Sequence, residues 1–95
     1  MPGTNDGWTP LHSAAKHGHL EFCSLIMETL VDKNPIRNDG YTPLHCAAYF
    51  GHLEVCKLIC KDIKDKNPID NFGLTPLSSA RARGHLDIVS FFENV

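Results

Sequence analysis

The residues of this chain that could do chemistry are its six histidines and four cysteines. His12 and His45 each follow a Thr-Pro-Leu segment, and a histidine can act as a metal ligand or as an acid–base group. Neither has a carboxylate or a nucleophile at a spacing that would complete a catalytic pair. His45 precedes Cys46 directly, and adjacent residues of a helix point apart, so a Cys–His dyad is not supported. We therefore expect structural histidines and no catalytic residues.

The cysteines have two possible roles, metal binding and disulfide formation. Cys56 and Cys60 are separated by four positions, so one helix could supply two metal ligands. A structural zinc site needs four ligands, commonly with a Cys-x-x-Cys spacing, which the sequence lacks. Cys23 and Cys56 lie 33 residues apart, the interval at which the Thr-Pro-Leu segment recurs, and equivalent positions on helices packed about 10 Å apart are too distant for a disulfide. Buried apolar side chains account better for these thiols, so we expect no metal and no cofactor.

The elements that position these residues recur at a fixed interval. Thr9, Thr42 and Thr75 lie 33 residues apart, each begins a Thr-Pro-Leu segment, and a Gly-His-Leu segment follows each at the same distance. Threonine suits a helix N-cap, proline suits the first helical position, and the glycine suits a left-handed C-cap. A second helix with a wide apolar stripe is predicted after each Gly-His-Leu. The pattern therefore predicts three helix–turn–helix units separated by Asn-Asp-Gly-type turns.

A Thr-Pro-Leu-His block at this period resembles the ankyrin repeat. The resemblance covers nearly the whole chain and implies an all-α solenoid of stacked helix pairs, joined by β-turn or hairpin loops. It divides a single domain of residues 1–95 into repeats 4–36, 37–69 and 70–95. In the family, the histidine of the block bridges its own threonine to the backbone of the neighbouring repeat. The resemblance implies this role for His12 and His45.

Two departures from the ankyrin pattern carry predictions of their own. Leu30 and Ile63 stand where the family usually places a glycine after the second helix, so we expect that helix to run further or to end in a different cap. Arg81 replaces the alanines found at positions 15 and 48. This substitution predicts that the third repeat presents a face that tolerates water, as a terminal repeat must.

The positions that vary between the repeats are the candidates for partner binding, since a scaffold explains only what repeats. In the ankyrin family these positions line a concave surface used for partners. Here they combine aromatic and charged residues, the composition of interface hot spots. The alternative is that some of the rings only cover a neighbouring turn. The predicted partner-binding residues are Asp6, Trp8, Lys16, His17, Asp39, Tyr41, Tyr49, Phe50, Phe72 and Arg83.

Charge and composition narrow the kind of partner. The formal charge is −2 with no basic stripe, so we expect neither nucleic acid nor an anionic membrane as partner. The apolar runs are too short for a membrane span, and the start lacks the apolar core of a secretory signal. Four cysteines without such a signal favour the cytoplasm or nucleus. Since both ends look poorly capped, we expect a monomer or weak end-to-end association.

The resemblance implies a protein-interaction module that binds a partner protein through the concave surface, without enzymatic activity. The alternative is an engineered or excised scaffold fragment that has no partner of its own.

The resemblance also suggests asparagine hydroxylation, because family members can be hydroxylated at an asparagine after the second helix. Asn34 and Asn67 stand at that point, although each is preceded by lysine and followed by proline, which departs from the preferred context. The other reading is a turn residue that ends the helix.

Overall fold

The fold is a stack of three helix pairs. The computed structural model describes residues 8–29, 40–63 and 65–94. The described residues form six helices: α1 (Pro10–His17), α2 (Leu20–Thr29), α3 (Pro43–Phe50), α4 (Leu53–Lys61), α5 (Pro76–Arg83) and α6 (Leu86–Glu93). No strand occurs within these ranges, so the predicted all-α class is confirmed for them. One pair of helices falls within each predicted repeat.

The first helix of each pair begins and ends at the predicted caps. Thr9, Thr42 and Thr75 have extended backbones, and each hydroxyl oxygen accepts a hydrogen bond from the backbone N–H three residues later. The side chain at that third position in turn accepts from the backbone N–H of the threonine, which completes a capping box. At the other end, the C-cap glycines Gly18 and Gly51 have φ angles of 71° and 83°. Only glycine takes this left-handed conformation without strain.

Alanines set the two layers of the stack. The inner helices α1, α3 and α5 pack side by side, and each outer helix packs behind the inner helix of its own repeat. Ala15, Ala48 and Ala80 are fully buried, so the inner helices approach one another closely. The outer layer fills the space behind them with larger side chains such as Ile59 and Ile88, which are also fully buried. This burial is the main source of the stability of the stack.

Two histidines join neighbouring repeats through the inner layer. The Thr9 N–H donates to Nδ1 of His12 (3.1 Å), so the proton of this ring lies on Nε2, which donates to the Tyr41 carbonyl (3.0 Å). His45 accepts from the Thr42 N–H in the same way and donates from Nε2 to the Leu74 carbonyl (2.9 Å). Both rings are fully buried, so every polar atom needs such a partner. The bridging role that the resemblance implies for these histidines is confirmed.

The second helix of the middle repeat ends in a different cap, which is one of the two outcomes predicted. α4 stops at Lys61, and its C-cap Asp62 has φ −110° and ψ 3°, outside the left-handed region. Lys66 caps the end of the helix in place of the missing glycine. Its ammonium group donates to the carbonyls of Cys60 and Ile63, both at 2.7 Å. A cation at this position also suits the negative end of the helix dipole.

Candidate partner-binding groove

A groove on the inner side of the stack brings four aromatic residues together. We call it the inner groove. Its volume is about 370 Å³. It is lined by Trp8, Lys16, Tyr41, Phe50, Asp70, Phe72 and Leu74. Five of these residues were predicted as partner-binding, and the structure brings them together across all three repeats.

Two of the rings in the groove are held by the buried histidines beneath them. The Trp8 ring stacks on His12 with centroids 5.0 Å apart, and Tyr41 stacks on His45 at 5.2 Å. The Trp8 indole N–H also donates to the Ser13 hydroxyl at 2.6 Å. Since the histidines are fixed at both ring nitrogens, the rings above them have little rotational freedom left. The floor of the inner groove is therefore ordered before any partner arrives.

Cations lie over aromatic rings along one side of the groove. The Lys16 ammonium is 5.5 Å from the centre of the Phe50 ring, and the Arg83 guanidinium is 4.9 Å from that of Tyr49. Tyr49 and Phe50 meet edge to face at 4.9 Å. Both cation–π contacts join one repeat to the next, and such contacts contribute about 0.5–1 kcal/mol at exposed sites. Tyr49 and Arg83 thus support the groove from its side and are not part of its lining.

A turn at the third repeat holds two apolar side chains at the edge of the groove. Asp70 is buried, and its Oδ1 accepts from the backbone N–H groups of Phe72 and Leu74, both at 2.9 Å. The Gly73 N–H donates to the Asp70 carbonyl (3.1 Å) and closes the turn. This arrangement leaves Phe72 75% exposed and Leu74 about half exposed. The sequence analysis missed Asp70 and Leu74 as groove residues, although an aspartate ahead of Asn-Phe-Gly is a recognisable turn signal.

The remaining predicted site residues lie elsewhere. His17 is exposed, and its ring contacts that of His19 with centroids 5.9 Å apart, outside the groove lining. Asn67 is exposed, and its backbone N–H donates to Asp65 Oδ1 at 3.1 Å, as a turn residue does. Three predicted residues, Asp6, Asp39 and Asn34, lie outside the described residues.

Burial holds the thiols of Cys23, Cys56 and Cys60 protonated. All four cysteines are free and buried. Burial raises the pKa of Cys23 and of Cys60 from 9.0 to about 11, and it also raises the pKa of Cys56. A protonated thiol is a poor nucleophile and a poor metal ligand. Within residues 8–29, 40–63 and 65–94, no cluster of three His, Cys, Asp or Glu side chains could hold a metal ion.

The described helices were also compared with the length and apolarity that a membrane span requires, and none of them meets both.

Comparison with known proteins agrees with the geometry of the stack. A search of curated proteins found no match. The family model described as ankyrin repeats (3 copies) matches residues 2–70, which is more than half of the 95-residue chain. Helix α5 lies beyond the matched range and has the same caps as α1 and α3, with Ser78 in the place of the histidine. The chain therefore belongs to the ankyrin-repeat family.

Proposed function

We propose that the chain binds a segment of a partner protein in the inner groove. Ankyrin repeats are in general protein-interaction modules. The observation that carries the proposal for this chain is the convergence of Phe50, Phe72 and Leu74, all exposed, on a groove whose other rings are fixed from below. Exposed apolar side chains gathered in one groove mark an interaction site more often than the same residues scattered singly.

The inner groove can supply binding free energy while its side chains lose little conformational entropy. Burying one large apolar side chain is worth about 1.5–3 kcal/mol, and Phe72, at 75% exposure, has most of that still to gain. Trp8 and Tyr41 are already held by stacking on His12 and His45, so a partner need not immobilise them. Rigid aromatic anchors of this kind dominate the affinity of most protein interfaces.

The charges around the groove indicate the chemistry of the partner. Lys16 supplies a cation to the lining. The Asp70 carboxylate is buried and accepts from two backbone N–H groups, so it is turned toward the protein. We therefore propose that the partner presents a large apolar side chain with a carboxylate close by. The apolar group enters the groove, and the carboxylate pairs with Lys16 at the edge.

The free, buried thiols fit a reducing compartment such as the cytoplasm or nucleus.

The proposal is tested with a matched pair of variants. Phe72 and Leu86 are both 75% exposed, but Phe72 lines the inner groove and Leu86 begins the outer helix α6. Peptides selected from a displayed random library against the whole chain provide the probe. We expect Phe72→Ala to lower the affinity of the chain for the selected peptides by roughly 30-fold, as loss of a hot-spot anchor does, and Leu86→Ala to leave this affinity unchanged.

Three outcomes decide the matter. Selected peptides rich in apolar residues next to Asp or Glu, with affinity lost on Lys16→Ala, support the partner chemistry. Equal affinity for the Phe72 and Leu86 variants contradicts the groove. Failure to select any peptide would favour the alternative, a scaffold fragment without a partner of its own. Circular dichroism on each variant checks that the helices are retained, which is expected because both side chains are exposed.

A further inference from the structure

The two ends of the stack differ in what they present. At the first repeat, His19, Leu20, Phe22 and Leu25 form an exposed surface, which we call the first-repeat face. Phe22 is 52% exposed and Leu25 is 59% exposed. Together with Gly18 and Glu21, the face lines a depression of about 680 Å³. Among the described residues, no helix covers it.

The position of Phe22 is buried in the other two repeats. Thirty-three and sixty-six residues after Phe22 stand Val55 and Ile88, which are 1% and 0% exposed. They are buried because a preceding helix pair packs against them. Phe22 therefore carries the apolar character of an interior position without the cover that an interior position has.

The His19 ring on the first-repeat face also differs from its equivalents in the other two repeats. His52 donates from Nε2 to the Lys16 carbonyl of the preceding repeat (3.0 Å), and His85 donates to the Tyr49 carbonyl (2.9 Å). His19 is the equivalent residue of the first repeat. In the described part of the chain its ring contacts only the His17 ring and reaches no carbonyl of another repeat. The first-repeat face thus offers the apolar side chain and the hydrogen-bond donor of the contact that is made twice inside the stack.

The opposite end is closed by charge. Arg81 and Glu93 form a salt bridge of 2.8 Å, and both side chains are about half exposed. Their equivalents in the middle repeat, Ala48 and Cys60, are buried against the next helix pair. Covering the Arg81–Glu93 pair with a further repeat would take two charges out of water, and the cost of this desolvation can exceed the attraction between the charges. The third repeat therefore does not suit the first-repeat face of a second copy. This weighs against the head-to-tail form of the expected end-to-end association.

We propose that the first-repeat face docks the uncapped last repeat of a separate ankyrin-type partner protein. The partner must offer what α1 and α3 offer within this chain. These features are a left-handed glycine with an open surface, a free carbonyl two residues before it, and alanine where this chain has Arg81. The Phe22 and Leu25 side chains pack on the partner's outer helix, and His19 Nε2 donates to the free carbonyl. The register is fixed by the two contacts already present between the three repeats.

The test uses the whole chain in two forms with complementary ends. The first is the natural chain, whose third repeat is closed by the salt bridge. The second carries Arg81→Ala and Glu93→Met, which restore the apolar pair seen at Ala15 and Met27, and Phe22→Lys, which blocks its own first-repeat face. Mixing the two and measuring sedimentation gives the stoichiometry and affinity. We expect a 1:1 complex, weakened by roughly 30-fold or more when the natural chain carries Phe22→Lys and by about fivefold with His19→Ala.

A control separates this face from a general effect of charge. Leu86→Lys adds the same charge to the exposed start of α6 and should leave the complex unchanged. The proposal is overturned if the folded forms do not associate, or if association survives Phe22→Lys. A symmetric dimer of the natural chain that depends on Phe22 would also overturn it, because the face would then bind its own copy.

A second measurement keeps the proposal testable if the altered chain does not fold. A copy of residues 37–69 inserted ahead of Thr4 places a helix pair where the partner would dock. Phe22→Lys should then lower the urea midpoint strongly in the four-repeat chain and hardly at all in the natural chain. An equally small change in both chains overturns the proposal.

Discussion

The contact between Gly51 and His85 allows the joint between two repeats to be measured. Gly51 has φ 83°, and a Cβ built there would lie 2.7 Å from the His85 ring. Gly84 has nearly the same backbone, with φ 73°, but a Cβ there meets nothing within 4 Å. Alanine at either position therefore suffers the same left-handed strain. Only at Gly51 must it also displace a histidine from its neighbour.

The expected costs follow from these two terms. Left-handed backbone costs a residue with a Cβ about 1–2 kcal/mol, and this is the whole cost expected for Gly84→Ala. Displacing His85 breaks its part-buried 2.9 Å hydrogen bond to the Tyr49 carbonyl, and losing such a bond costs about 0.5–1.5 kcal/mol more. Gly51→Ala should therefore lower the free energy of unfolding by about 1.5–3.5 kcal/mol, more than Gly84→Ala.

Urea unfolding followed by circular dichroism measures both variants. Gly18→Ala controls for position in the stack, because Gly18 lies in an end repeat like Gly84, yet its Cβ would meet the His52 ring at 2.5 Å. We expect Gly18→Ala to behave like Gly51→Ala. If all three substitutions cost the same, the histidine contacts do not hold the repeats together, and the reasoning fails.

Three further predictions follow from other parts of the structure. Lys66→Met should lower the free energy of unfolding by about 1–2 kcal/mol, because the carbonyls of Cys60 and Ile63 at the end of α4 lose their donor, whereas Lys61→Met, on the exposed side of α4, should change it little in the same urea titration. Stability should be full below about pH 9 and fall as the pH rises toward 11, because the folded state holds Cys23 and Cys60 protonated beyond the pKa of 9.0 of an unfolded thiol; the fall should be smaller in Cys23→Ala, and an equal fall would contradict the role of the thiol. The fluorescence of Trp8, the chain's single tryptophan, should shift when a peptide enters the inner groove, and an unchanged spectrum at saturation would place the peptide elsewhere.

Much of the fold could be predicted because its signals are local. The threonine caps, the left-handed glycines and the alanine rows each act within one or two turns of a helix, so their spacing is sufficient evidence. The end of α4 was less predictable, since the ammonium group that caps it belongs to Lys66, beyond the helix in a segment with no regular structure. A different cap was one of the two outcomes predicted, but the residue that supplies it depends on how the chain folds back.

The candidate site was predicted less completely, for a physical reason. Variation between repeats pointed to Trp8, Tyr41 and Phe72, which lie together in the lining of the inner groove, because side chains that do not build the scaffold are free to differ. It could not separate residues that line the inner groove from those that support it, such as Tyr49, since that depends on ring orientations set by neighbouring repeats. The first-repeat face escaped notice because Phe22 looks like an ordinary core residue in the sequence.

The measurement that tests the central claim most directly is an amide NMR titration of the whole chain with a selected peptide. The account predicts that the largest shifts fall at Tyr41, Phe50, Phe72 and Leu74, and that Phe72→Ala moves the midpoint of the titration to a roughly 30-fold higher peptide concentration while Leu86→Ala does not. Shifts concentrated on the outer helices α2, α4 and α6, with the amides of the inner groove unchanged, would contradict it.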